Sequence, residues 1–292
     1  MSSATSGEAS RKYRWRPCGS TALVPPPSPG TLQEGATRCL REAMARFSDH
    51  SAHAERRAAV DVAVALFDAA ELELRAAERS RRLLTAAAER GDTTIDALSD
   101  LCFVVPVETL AEALHVGDEE TADVRREVLE VARVIGRGHE SSPVSDGAST
   151  RLLDRFAAAP GGPVAAVSVL YQCHDATAMY GATLIWARSS GSERRPSLPA
   201  TVRRATTEIV VAGYELRPGD DVVLDLAASG HEFGHGAHHC PGRQVAEALS
   251  TGVWTAIDDS EWSLDAEAVE FDEHGRPISL PLRRTVGSLS SG

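Results

Sequence analysis

One glycine-rich segment holds the residues of this chain that are best suited to chemistry. Residues 233–243 read FGHGAHHCPGR, which places Cys240 where a loop ends and a predicted helix, 244–257, begins. Free backbone N–H groups and the positive end of a helix dipole stabilise a thiolate at such a position. The three glycines of the segment let the backbone adopt conformations closed to other residues and approach a flat ligand closely.

A loop of this kind suits a cysteinate that binds the iron of a heme lying against it. The alternative is a loop with a buried free cysteine and no ligand, which is the usual state of a lone cysteine. Heme is the preferred interpretation, because other segments of the chain supply matching residues in the right order.

The segment closely resembles the cysteine-ligand loop of the bacterial cytochrome P-450 enzymes, whose pattern is F-G-x-G-x-H-x-C-x-G. The resemblance implies that Cys240 is the axial ligand of the iron in heme b. It also implies that His238 contacts a heme propionate. The other matched positions, Phe233, Gly236 and Gly242, are then expected to contact the heme.

Two further segments agree with this resemblance. Residues 47–57 match the family pattern F-S-D-x-x-x-H-x-x-x-R, which implies that His53 and Arg57 are propionate partners. Residues 203–220 are similar to the family's R-x-A-T-E-D-x-x-x-x-G strand pair, which makes Arg203 a third propionate partner. Two buried carboxylates need cationic, preferably bidentate partners to offset the cost of desolvation.

The predicted central helix contains QCHDAT where the family usually has A-G-x-(D/E)-T. In that family the acid and the threonine deliver protons during oxygen activation. Asp175 matches the acid, whereas Ala176 occupies the threonine position and Thr177 follows one residue late. One residue turns a helical side chain by about 100°. Asp175 and Thr177 are therefore the candidate catalytic residues, and the alternative for Asp175 is a structural acid satisfied by His174 or an arginine.

The chain is shorter than the family it resembles, and the losses fall at identifiable places. Between 186 and 203 there is no room for the two helices that carry an E-x-x-R motif, and the nearest remnant is 192–195, with serine in place of glutamate. The meander expected between 226 and 233 is missing too. In the family these parts brace the cysteine loop. The lid region, 117–163, is also short.

Composition excludes several classes of protein. With 292 residues, 42% of them hydrophobic, the chain can bury a core, and its net charge of −12 with no basic block argues against nucleic acid or anionic membrane as partners. The five cysteines are scattered without CxxC spacing, which predicts a reducing cytoplasm rather than a disulfide framework. Residues 1–20 are polar, so no signal peptide is predicted. The apolar stretch 163–187 is interrupted by polar residues, so no membrane span is predicted.

Periodicity predicts a mainly helical protein with small β-sheets and a long central helix. The resemblance implies that this is a shortened cytochrome P-450-like fold. Residues 1–30 are rich in Ser, Pro and Gly and are expected to be flexible, and residues 31–292 are expected to form a single heme domain. A loop is predicted at 139–149. The predicted helices cover 37–47, 52–89, 94–115, 118–137, 151–158, 164–188 and 244–257, and the predicted strands cover 207–211, 222–226 and 278–283.

The resemblance implies an oxidoreductase acting on a small apolar intermediate of secondary metabolism, such as antibiotic biosynthesis. Because the threonine is displaced, peroxide-dependent oxidation or a rearrangement at iron stands beside monooxygenase chemistry. A ferredoxin-type electron donor or another pathway enzyme is the expected protein partner. The first alternative is a catalytically degenerate relative that binds and stabilises a partner such as a glycosyltransferase.

A second alternative is a zinc hydrolase, because residues 231–235 spell HExxH. That motif needs a helix, so that both histidines share one face and the glutamate can act as general base. Gly234, Gly236 and Pro241 argue against a continuous helix here.

Overall fold

The computed structural model describes residues 12–14 by their backbone, and residues 22–136, 139–211 and 213–285. Helices dominate these segments. They are α1 (Ala36–Ala43), α2 (His50–Val64), α3 (Ala69–Glu89), α4 (Val105–Ala113), α5 (Thr121–Ile135), α6 (Pro143–Arg155), α7 (Pro163–Ser190), α8 (Leu226–Ser229) and α9 (Arg243–Asp258).

The strands form small sheets at the edge of the helical body. A mixed sheet has the order β1-β7-β4-β2, in which β1 runs parallel to β7 and the other pairs are antiparallel. Antiparallel pairing gives the other sheets, β3-β11-β8, β5-β6 and β10-β9. The strands are β1 (Lys12–Arg14), β2 (Leu23–Val24), β3 (Thr94–Asp96), β4 (Ala200–Ala205), β5 (Ile209–Val211), β6 (Tyr214–Leu216), β7 (Asp221–Asp225), β8 (Trp262–Leu264), β9 (Glu270–Phe271), β10 (Pro277–Ser279) and β11 (Pro281–Arg284).

Helix α7 is the centre of the structure, as its apolar sequence predicts. Four consecutive residues, 165–168, are buried, so every side of the helix meets protein there. It packs against α2, α4, α5, α6 and α9. Helix α9 in turn lies against α3, and Gly252 makes that approach possible, because a Cβ at this position would lie 2.3 Å from the carbonyl oxygen of Glu73.

Several predicted boundaries are wrong, each for a local reason. The helix predicted over 52–89 is two helices, because Asp68 caps α3 by accepting hydrogen bonds from the N–H groups of Ala70 and Glu71. The predicted helix 94–115 begins instead as strand β3, which pairs with β11. The predicted loop 139–149 is a loop only up to Ser142, where a capping box between Ser142 and Ser145 opens α6.

The N-terminal thirty residues contribute two strands, β1 and β2, to the mixed sheet. The prediction that this segment is flexible concerns mostly residues 1–11 and 15–21, which lie outside the described residues. Farther along, buried Arg41 donates hydrogen bonds to the Ser28 hydroxyl and the Pro26 carbonyl, which fastens this stretch to α1. Across the described segments, every helix lacks either the length or the sustained hydrophobicity that a membrane-spanning segment needs.

Candidate active site around Cys240

The cysteine segment folds back on itself between α8 and α9. The Cys240 N–H donates to the carbonyl oxygen of Phe233 at 2.7 Å, which closes the loop. Gly234 has φ +73, and a Cβ there would lie 2.7 Å from the His238 carbonyl oxygen, so only glycine fits. A short 3₁₀ turn, Gly236–His238, follows, and α9 begins three residues after the cysteine.

Cys240 is partly buried at the end of this loop. Burial raises the pKa of its thiol, and the N–H of Gly242 and the charges of Arg57 and Arg46 offset the effect only in part. The sequence predicts a stabilised thiolate, whereas the structure shows that desolvation outweighs these favourable groups. A metal ion that binds the sulfur reverses this balance, because a coordinated thiol loses its proton.

Two predicted histidines meet beside the cysteine loop. The rings of His53, on α2, and His238 lie 4.1 Å apart between centroids at an angle of 50°. The pKa of His238 is lowered to about 4, mainly by burial and also by the charges of Arg203 and His53. The pKa of His53 is also lowered, first by burial and then by Arg57. Both imidazoles are therefore neutral at pH 7.

Arg57, one turn after His53 on α2, reaches the cysteine loop. Its Nη1 donates to the carbonyl oxygens of His239 at 2.6 Å and Ala237 at 3.3 Å, and its Nε pairs with Asp61 at 2.7 Å. The sequence predicts a propionate partner at this position. In the structure the guanidinium holds the loop backbone on both sides of His238.

Arg203 lies on β4, and its positive charge lowers the pKa of both histidines. Burial lowers its pKa to about 10, with a smaller contribution from Arg46. Its Nη1 donates to the Thr201 hydroxyl and to the Val202 carbonyl. In the described part of the chain, neither Arg203 nor Arg46 forms a salt bridge with a carboxylate.

These side chains lie together next to Cys240 and are called the basic cluster below, in which the arginines carry the positive charge and the two imidazoles are neutral. Its members are Arg46, His53, Arg57, Arg203 and His238. Asp61 pairs with Arg57 only, so the remaining charge is uncompensated within the described residues. Partly buried cations held this close are costly unless an anion joins them. The cluster therefore fits a ligand that carries two carboxylates, as a heme does. Arg46 is the member that sequence reasoning missed, although it directly precedes the matched segment 47–57.

The predicted catalytic residues on α7 do not share one environment. Ala176 is exposed although it lies in the middle of the central helix, while Thr177 is buried. The Thr177 hydroxyl hydrogen-bonds the buried thiol of Cys173, one turn earlier. The Asp175 carboxylate instead contacts the ring of His174, with 3.1 Å between Oδ1 and Nδ1. The catalytic roles of Asp175 and Thr177 remain predictions.

Residues 231–235, which match the HExxH motif, do not form the helix that a zinc hydrolase needs. Gly230 ends α8 in a left-handed conformation, and Gly234 breaks the segment again. Glu232, the would-be general base, is bound by both terminal nitrogens of Arg194. No group of three or more His, Cys, Asp or Glu side chains within the described segments is arranged to bind a metal ion. The geometry thus disfavours the zinc alternative.

This chain is similar to known proteins in its structure and not in its sequence. No protein-family model and no curated protein matches the sequence. Solved structures do match. P450BioI, solved with an acyl carrier protein that carries hexadec-9Z-enoic acid, has a TM-score of 0.67 and 14% identity, over 90% of this chain and 87% of that one.

Two other similar structures belong to the same class of enzyme. HmtN, a post-tailoring hydroxylase involved in himastatin biosynthesis, has a TM-score of 0.63 and 20% identity, over 86% of this chain and 85% of that one. Cytochrome P450 CYP109Q5 from Chondromyces apiculatus has a TM-score of 0.66 and 17% identity, over 89% and 83% of the two chains. The mainly helical fold predicted from the sequence is confirmed, and this chain has the fold of the cytochrome P450 enzymes.

Proposed function

We propose that this protein is a heme-thiolate oxidoreductase that binds heme b through Cys240 and oxidises a small apolar intermediate of secondary metabolism. One observation carries the proposal. A cluster of arginines and histidines without enough carboxylates lies beside a cysteine in a glycine-rich loop, within the P450 fold. Heme supplies both missing components, a metal ion for the sulfur and two carboxylates for the cations.

Different residues would bind different parts of the cofactor. The Cys240 sulfur would bind the iron, and Arg203 and Arg46 would each pair with a propionate. His238 is neutral at pH 7 because of its low pKa, so it can donate one ring N–H to a carboxylate oxygen. Arg57 keeps the loop backbone in place.

Bound heme supplies the oxidation chemistry itself, and electron donation from a thiolate ligand favours cleavage of an O–O bond. The chain contributes orientation and proton control. The face of α7 that carries Ala176 is open, so a substrate or an oxidant can approach there. Because Ala176 has no hydroxyl, peroxide-dependent oxidation or a rearrangement at iron is as well supported as reductase-driven hydroxylation.

The proposed substrate class and partners follow from the similar structures. HmtN acts in the biosynthesis of a natural product, and P450BioI was solved with an acyl carrier protein that carries a fatty acid. An apolar biosynthetic intermediate, free or attached to a carrier, is therefore the proposed substrate. A ferredoxin-type protein is the proposed electron donor where the reaction needs one.

Heme titration of the purified protein tests this function. The wild type should take up about one heme per chain and retain it through gel filtration, whereas Cys240→Ala should lose it. Cys39→Ala is the matched control, because Cys39 is exposed on α1, outside the site, and this variant should retain heme like the wild type. Retention of a full heme complement by Cys240→Ala would show that the ligand assignment is wrong.

The auxiliary alternative predicts a different result in the same titration. A protein that stabilises a glycosyltransferase without catalysis of its own would be folded and take up no heme. Circular dichroism on the same samples separates this outcome from misfolding. A folded, heme-free protein would replace the oxidoreductase proposal with a binding role.

A further inference from the structure

We propose that Glu232, Arg194 and Ser197 form a brace that positions the cysteine loop, and that the brace fixes the placement of the Cys240 sulfur toward iron. These are positioning residues, because they act through the loop backbone. This inference rests on the proposed function, since a fixed sulfur position matters only if Cys240 binds a metal ion. The sequence marks Glu232 only as part of HExxH, and no sequence motif marks Arg194 or Ser197.

Glu232 directly precedes Phe233, the first residue of the loop, and its carboxylate is saturated with donors. Arg194 donates to both oxygens, with Nη1 at 2.9 Å from Oε1. Ser197 donates to Oε1 from its N–H at 2.6 Å and from its hydroxyl at 2.7 Å. A carboxylate held by four charge-assisted or neutral hydrogen bonds has little freedom to move.

The carboxylate is also shielded from water. The side chain of Glu232 is 13% exposed and that of Arg194 is 24% exposed. Burial alone would raise the pKa of Glu232, but the hydrogen bonds from Arg194 and Ser197 outweigh it and hold the pKa below its ordinary value. The pair therefore differs from an exposed surface salt bridge, which contributes little.

The brace connects the loop to the central helix. The Arg194 guanidinium lies 4.2 Å above the ring of Tyr180, a residue of α7, and its Nη1 is 3.3 Å from the Thr183 hydroxyl on the same helix. The ring of Tyr180 lies 5.7 Å from that of Phe233. Phe233 accepts the hydrogen bond from the Cys240 N–H. A continuous set of contacts thus leads from α7 through the brace to the cysteine.

Arg57 holds the loop from the opposite side, through the carbonyls that flank His238. The loop is therefore fixed at two places, near its start by Glu232 and near its cysteine by Arg57. The segment 192–195, the nearest remnant of E-x-x-R, contributes through Arg194, which is not a position of that pattern. Its neighbour Arg195 turns away and approaches Gly275.

Hydrogen exchange on heme-free protein tests the brace independently of heme. In Glu232→Gln the amides of residues 233–242 should exchange about tenfold faster than in the wild type, which corresponds to about 1.4 kcal/mol of local stability. Amides of α9 should be unchanged. The matched control is Asp221→Asn, which breaks the bidentate salt bridge between Arg204 and Asp221, at a distance from the loop, and should leave the loop amides unchanged.

Ser197→Ala provides a milder variant, because it removes one of the four hydrogen bonds and leaves the ion pair. It should accelerate exchange of the loop in the same direction by a smaller factor. Loop exchange at the wild-type rate in both variants, or equal acceleration over the whole chain in both, would overturn the proposal.

The heme-loaded protein gives a second readout that a merely structural role would not move. In Glu232→Gln the reduced carbon monoxide complex should show less of the strongly red-shifted Soret band and more of the unshifted band, because the sulfur is less well placed. An unchanged band ratio would refute positioning even if exchange increases. If no variant and no wild type binds heme, the proposed function fails while the exchange experiment still decides whether the brace exists.

Discussion

Removal of the positive charge at Arg203 should have opposite effects on the heme-free and the heme-loaded protein. Burial, with a smaller contribution from Arg46, lowers the pKa of Arg203 from its ordinary value to about 10. Because a tenfold change in proton affinity equals about 1.4 kcal/mol, this fall corresponds to at most about 3 kcal/mol of unfavourable burial and repulsion. Two effects reduce this gain in stability: Arg203 is only partly buried, and its substitution removes two hydrogen bonds. We therefore expect Arg203→Leu to stabilise the heme-free protein by only about 1 kcal/mol.

Heme-loaded protein should respond in the other direction. A charge-assisted hydrogen bond to a carboxylate contributes about 1.5–3 kcal/mol. Loss of the Arg203 bond to a propionate should therefore weaken heme binding roughly tenfold to a hundredfold. Urea denaturation of the heme-free protein and hemin titration measure the two effects on the same preparation.

The neighbouring arginine provides a matched control. Arg204 lies on the same strand but forms a bidentate salt bridge with Asp221, outside the basic cluster. Arg204→Leu should lower the stability of the heme-free protein slightly and leave heme affinity unchanged. A loss of stability in heme-free Arg203→Leu, or wild-type heme affinity in that variant, would refute the idea that the cluster needs carboxylates.

The remaining predictions concern the loop and its supports. Arg57→Leu should lower the free energy of unfolding by about 1–2 kcal/mol in urea denaturation, because two loop carbonyls lose their donor; an unchanged value would contradict the bracing role. Gly234→Ala should lower the melting temperature more than Gly236→Ala, since both residues have positive φ but only a Cβ at Gly234 meets another atom within 4 Å; equal shifts would mean that the close approach to His238 is irrelevant. The low pKa of Glu232 means that its ionised form stabilises the fold above about pH 4.5, its ordinary pKa, and that this contribution is lost as the pH falls through the lower folded-state value. The stability difference between wild type and Glu232→Gln should therefore shrink between pH 6 and pH 3.5, and a difference that stays constant in that range would count against the ion pair.

Elements of the fold with strong local patterns were predictable from the sequence. Helix α7 and helix α9 follow the predicted ranges closely, since α7 is apolar around most of its circumference and α9 has one continuous apolar face. The second half of α6 lies within the predicted helix 151–158, but its first half was predicted as loop because that stretch is rich in serine and contains Gly147. Packing of α6 against α1 and α5 overrides this weak helical propensity. The break between α2 and α3 could have been found, since Asp68 is followed three residues later by Glu71, which is a recognisable helix start.

The candidate site likewise contains residues that contiguous sequence motifs reveal and residues that only the fold brings together. Sequence motifs mark His53, Arg203 and His238, since each lies in a short contiguous pattern, and the structure brings the three together beside the cysteine loop. Their contact with propionates stays a prediction. The pairing of Arg194 with Glu232 joins residues 38 positions apart and has no motif, so only the fold reveals it. The motif also marks Arg57, whose guanidinium donates to loop carbonyls, a contact that the pattern does not predict.

The reduced carbon monoxide spectrum of the heme-supplemented protein tests the central claim most directly. The proposed thiolate ligation by Cys240 predicts a strongly red-shifted Soret band in the wild type, and the band should be absent from Cys240→Ala. A folded wild-type protein that takes up no heme, or that binds heme with an unshifted Soret band, would contradict the account.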